Sequence, residues 1–167
     1  NVQHIEKGFS SAKPITLSFW VKGTASRTYV VELRSTPTGG TSRSAIKQFS
    51  VTTSWVKHTY IFPADTSGDK IANTNAAGLE LGFWLSAGSN FTGGAYAAQT
   101  WIDIVENKLA PGISGSGSGI LTTTSDELYI TGVQLELGSS ATPFEHRSYG
   151  DELARCQRYY YTHLDGN

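Results

Sequence analysis

Apolar and polar residues alternate along most of the chain. In PITLSFWVKG, Ile15, Leu17, Phe19 and Val21 share one side, and Thr16, Ser18, Trp20 and Lys22 share the other. A period of two with one apolar side predicts a β-strand with one buried face. TYVVELR repeats it, with Tyr29, Val31 and Leu33 inward and Glu32 and Arg34 outward. KQFSV and SWVKHTYIF predict two more strands, separated by a turn at Thr52–Ser54. Pro63 ends the second, because proline has no N–H to give to a ladder. GLELGFWLSAG places Leu79, Leu81, Phe83 and Leu85 on one face, and TWIDIV reads as a short strand. In LYITGVQLELG, Val133, Leu135 and Leu137 are in phase, but Tyr129 and Ile130 do not both fit it, which predicts a bulge near Gly132.

Polar, glycine-rich stretches separate these segments: Ser35–Ser44, the connection after Pro63, SNFTGGAYAAQ and the glycine-serine run Pro111–Gly119. The strand pattern resumes straight after Gly119, so residues 1–140 are expected to form one sandwich. Residues 141–167 are expected to form a connector and a helix that packs on the sandwich or on a neighbouring subunit. In that tail Ser148 stands where an N-cap belongs and Asp151 follows three residues later. Tyr149, Leu153, Cys156 and Tyr160 recur at helical spacing. Short strands, polar turns and no βαβ alternation predict an all-β antiparallel β-sandwich, jelly-roll-like, with a short C-terminal α-helix.

Composition narrows the function classes. The 167 residues are enough for one domain with a substantial core. Thirteen basic against fourteen acidic residues, with no basic block, give no footprint for nucleic acid. No apolar run approaches the roughly 20 residues of a membrane-spanning helix. One cysteine, Cys156, excludes an internal disulfide framework and multi-cysteine zinc sites. The opening NVQHIEKGF lacks Met, a basic n-region and an apolar h-region, so the chain is expected to be part of a longer polypeptide.

The runs ITLSFWVKG, SWVKHTYIFPADTSG, GLELGFWLSAGS and above all GVQLELGSSATPFEHRSYGDELARCQRYY resemble the C-terminal β-sandwich domains of bacteriophage structural proteins: tail fibres, head fibres and capsid-decoration proteins. The resemblance spans Asn1 to about Tyr161. Such domains are also similar to the jelly rolls of carbohydrate-binding modules. The resemblance implies a non-enzymatic virion component, a homotrimer contacting other virion proteins, with a cell-surface glycan as a possible ligand.

The candidate chemistry divides between surfaces. Each of the pairs Phe19-Trp20 and Phe83-Trp84 puts Phe on the core phase and Trp outside. An outward tryptophan stacks on a sugar ring, packs against a neighbouring subunit, or is covered by its own chain. Trp20, Trp84 and Tyr96 are the candidate glycan contacts. Trp55 and Trp101, each at the start of a strand, are expected to plug ends of the core. Phe144, Glu145, His146, Arg147, Tyr149, Tyr159, Tyr160 and Tyr161 are the candidate interface, because adjacent tyrosines surround a helix and one face cannot bury them all. Glu145, His146 and Arg147 are consecutive, so in an extended segment they are expected to point apart rather than converge. Cys156 with His146 as nucleophile and base is outweighed by cysteine as a small hydrophobe on an apolar stripe. Asp65, Asp69, Asp126 and Glu127 lie in or beside loops, but without a D-x-D-x-D loop a structural calcium is the weaker expectation, and no metal or cofactor site is assigned. A carbohydrate-binding module of a secreted polysaccharide-degrading enzyme is the alternative function. A glycosidase acting on its own, through outward Glu32 and Glu80, ranks last, since no motif supports that pair.

Overall fold

The computed structural model describes residues 2–37, 39–71, 77–95, 100–113 and 124–157. Among these residues seven strands form two antiparallel sheets. β1 (Ile15–Gly23), β4 (Val56–Phe62) and β7 (Leu128–Leu137) make a three-stranded sheet in the order β4-β1-β7. β2 (Arg27–Ser35), β3 (Arg43–Val51), β5 (Leu79–Trp84) and β6 (Ile102–Asp103) make a four-stranded sheet in the order β5-β2-β3-β6. The Thr52–Ser54 turn therefore carries the chain from one sheet to the other and closes no hairpin. The antiparallel sandwich is established. Seven described strands do not establish the eight-stranded winding of a jelly roll.

The core follows the alternation. Ile15, Leu17, Phe19 and Val21 of β1 meet Tyr29, Val31 and Leu33 of β2 and Phe49 of β3, all buried. Phe19 lies at the centre, edge-to-face with Phe49 and with Phe83 at 5.3 Å each. Burying an aromatic or aliphatic side chain of this size is worth about 1.5–3 kcal/mol. Phe49 and Phe83 also approach each other edge-on.

Beyond the core, two segments cover outer faces. A single helical turn, α1 (Ser89–Thr92), and the segment around Ala110 and Pro111 lie on the outer face of the four-stranded sheet. Phe91 rests on Trp84, and Gln48 Nε2 donates to Pro111 O at 2.8 Å. Val30 and Ile46, on that outer face, are accordingly buried. On the three-stranded sheet the chain after β7 turns back. Thr16 Oγ1 donates to Gly138 O at 2.7 Å, and Thr16 and Ser18 are buried although they point away from the core.

A buried ionic cluster ties the chain's start to the sandwich. Lys7, 4% exposed, lies 3.5 Å from Asp65 and donates to Asp69 O. Arg43 pairs with Asp65, bonds Asp103 at 3.0 Å and donates to Trp101 O at 2.8 Å. The helix α2 (Tyr149–Gln157) stands at the other end of the chain. No helix among the described residues is long and apolar enough to cross a membrane.

Candidate functional site

Three surfaces depart from an ordinary sandwich exterior. The first is the outer face of the three-stranded sheet. Trp20 follows inward Phe19 and is 40% exposed. Its strand neighbour Lys22 pairs with Tyr129 across the ladder and sets its ammonium over two rings, 5.5 Å from Trp55 and 5.1 Å from Tyr129. Those rings meet edge-to-face at 6.5 Å. Trp55 does not plug the core as expected. Val56 takes the inward phase, so the residue before it faces out. Tyr129 donates its hydroxyl to Glu127, and that bond raises the tyrosine's pKa.

The second surface is the connector 138–148, laid along β7. Gly132 has φ +58° and marks the bulge where the β1–β7 register shifts between Ser18 and Trp20. Beyond the bulge Gln134 and Glu136 face outward and hold the connector. Thr142 Oγ1 donates to Glu136 at 2.6 Å, Gln134 Nε2 donates to Thr142 Oγ1 at 3.1 Å, and the Glu145 amide donates to Gln134 Oε1 at 2.9 Å. The Thr142 hydroxyl and then the Gln134 amide hold the Glu136 carboxyl below the ordinary carboxylate range. Phe144 is brought beside Gly132 and meets His146 edge-to-face at 5.1 Å.

Glu145, His146 and Arg147 line one hollow of about 590 Å³ with Val133, Leu135 and Glu152. The contacts alternate as in an extended run: Arg147 bonds Glu145, while His146 meets Phe144. Arg147 bonds Glu145 at 2.7 Å and Glu152 at 3.3 Å, and both bonds raise its pKa. Every group in this cluster is exposed, so the ion pairs orient the segment more than they stabilise it. The helix follows as its cap predicts: the Asp151 amide donates to Ser148 Oγ at 3.2 Å. Its nine residues are all exposed, Tyr149 at 82%.

The third surface was not anticipated. Val133, Leu135 and Leu137 do face inward, since Leu135 pairs with Leu17 and Leu137 with Ile15. They are nevertheless 41–46% exposed. β7 is an edge strand, and among the described residues no further strand pairs with it. Leu79, Leu135 and Leu137 border a groove of about 360 Å³ with His4, Ile5 and Ile15. This groove and the hollow under the connector share Leu135 and Glu136, so together they form one trench along β7. Strand alternation in the sequence reports which way these leucines point. It does not report that a covering strand is missing.

The remaining candidates are placed as follows. Trp84 is half-buried, packed on Phe91, with its indole N–H donated to Glu32 at 2.8 Å, so its own chain covers it. Glu32 is buried and accepts two further bonds from Arg34, which leaves it unlike a free catalytic acid. Trp101 is buried as expected and donates to Pro63 O. Asp65 is engaged by Lys7 and Arg43, Asp126 by Arg27 at 2.5 Å, and Asp69 by the Thr41 amide. No group of three or more metal-binding side chains occurs among the described residues. Tyr96, Tyr159, Tyr160 and Tyr161 lie outside the described residues. No known protein family, curated protein or solved structure matches the chain.

Proposed function

We propose that this chain is a non-enzymatic structural module of a bacteriophage virion, of the tail-fibre, head-fibre or capsid-decoration kind, working as a homotrimer that binds other virion subunits. The observation that carries the reading is the uncovered apolar surface: α2 and the β7 trench both present large apolar side chains to solvent, as assembling proteins do. The sequence resemblance supplies the setting. The outer face of the three-stranded sheet supports a host-cell glycan as ligand, since the exposed Trp20 ring can stack on a sugar. Three rigidly linked copies would turn weak single contacts into useful avidity.

Imaging of phage particles with a label on this chain tests the placement, and particles that never carry the chain overturn it. Glycan binding is tested separately. Trp20→Ala is expected to abolish retention on a glycan array while leaving the melting transition in place. Retention equal to the parent would remove the sugar from the proposal.

The same aromatic face also favours the second reading, a carbohydrate-binding module of a polysaccharide-degrading enzyme. That reading expects a monomer that binds soluble glycans, so the mass in solution discriminates between the two.

A further inference from the structure

We infer that the sugar taken by the Trp20 face is an acidic one, a glycan residue whose carboxylate is met by Lys57 and Lys22. The inference rests on the glycan reading above and names its chemical class. The outer face of the three-stranded sheet divides in two. Toward the connector, Thr16 and Ser18 are buried. Past Gly132 the face is open, and Trp20, Trp55 and Tyr129 are all exposed. Gly132 stands at the border, with Phe144 on one side and Trp20 on the other. Its missing side chain leaves the edge of the indole clear, since a Cβ there would lie 3.3 Å from Trp20 Cδ1. Trp84 marks the contrast, because Phe91 and Glu32 of its own chain occupy it.

The groups around Trp20 suit a sugar. Its cross-strand neighbours are Lys57 on β4 and Thr131 on β7, both exposed, and Lys22 is the next outward residue of β1. An indole face takes the C–H side of a pyranose, while ammonium and hydroxyl groups beside it bond the polar rim.

Charge selects the class of sugar. Lys22 is held by the rings of Trp55 and Tyr129. Such contacts steady an ammonium without neutralising it. Among the described residues no carboxylate forms an ion pair with Lys22 or Lys57. The two nearby carboxylates are engaged by other groups. Glu127 accepts from Tyr129, and Glu136 accepts from Thr142. The pKa of Glu136 is lowered first by Thr142 and Gln134, and Lys57 is the least of its causes. Two positive charges beside an open ring thus lack a counter-ion. A carboxylate on the bound sugar supplies it through charge-assisted hydrogen bonds, whereas a neutral sugar leaves both lysines unmatched.

The test is an array of matched pairs, probed with the full chain. Oligosaccharides with uronic or sialic acid units are printed beside the same chains with the carboxyl reduced to an alcohol. Acid members should be held about tenfold more tightly than their reduced partners, and added salt should weaken the acid members alone. Lys57→Gln should erase that preference, Lys57→Arg should keep it, and Trp20→Ala should lose both members of each pair. Equal retention within pairs, binding confined to neutral or sulfated members, or a Lys57→Gln protein that keeps the preference each overturns the inference and leaves the glycan reading standing. No retention of any member removes both. A parent oligomer that Trp20→Ala dissociates would show a second copy on this face and overturn the inference too. Lys57 and Trp20 are exposed, so the variants should fold, and circular dichroism checks this. Lys22→Gln replaces a Lys57→Gln protein that does not.

Discussion

Gly132 shows how much one position carries. Its φ of +58° lies in the left-handed region, where a side chain costs roughly 1–2 kcal/mol. A Cβ there would also stand 3.3 Å from Trp20 Cδ1 and 3.8 Å from Phe144. Gly132→Ala should therefore lose about 1–2 kcal/mol of stability in urea unfolding and disturb the Trp20 fluorescence. An unchanged midpoint would mean the bulge has another cause. The glycine was legible in the sequence, because the apolar phase of β7 breaks there and a bulge restores it. Lys7 was not legible. A lysine near the start of the chain reads as solvated, and only the return of Asp65, Asp69 and Arg43 to the same end of the sandwich buries it with partners.

Among the elements, the connector is the one that pH should move. The native Glu136 carboxyl binds a proton less readily than in the unfolded chain, because Thr142 and Gln134 bond its charged form. Its contribution is thus complete above the ordinary glutamate pKa of about 4.3 and is lost as pH falls through the lowered native value. Protection of the Thr142 and Glu145 amides against exchange, corrected for the slower intrinsic exchange in acid, should fall below that range while the β1 and β2 amides stay protected. Equal protection at both would separate the connector from Glu136. Strands β1, β2, β4 and β5 were legible because their alternation is clean, and α2 because Ser148 and the stripe from Tyr149 both point to it. α1 was missed. Its single turn Ser89–Thr92 is too short for periodicity to register and is held by packing against Trp84 and by the Ala110 amide donating to Phe91 O. Trp55, at the start of a strand, suggests a plug for the core, but its place one residue before inward Val56 turns it outward.

For the molecule as a whole, three described strands face four. With β7 at an edge, its leucines stay 41–46% exposed. A chain ending at Ser140 retains every described strand, and the described residues it loses are almost all exposed. It should melt within a few degrees of the parent and sediment as a monomer. An oligomer of unchanged stoichiometry would show that the tail takes no part in assembly. The sandwich could be read from the sequence because alternation is local. The trench could not, because it depends on which strands become neighbours, and the number of strands in each sheet is a property of the folded whole.

The solitary thiol has a practical use. Cys156 is the sole cysteine of the chain and is exposed on α2. A maleimide dye therefore attaches once per molecule, with no engineering, on the stripe of the helix that would dock. Its emission colour and its shielding from quenchers would follow capture of the helix as it happens, so the chain arrives with its own reporter for the event that mass measurements see only after equilibrium.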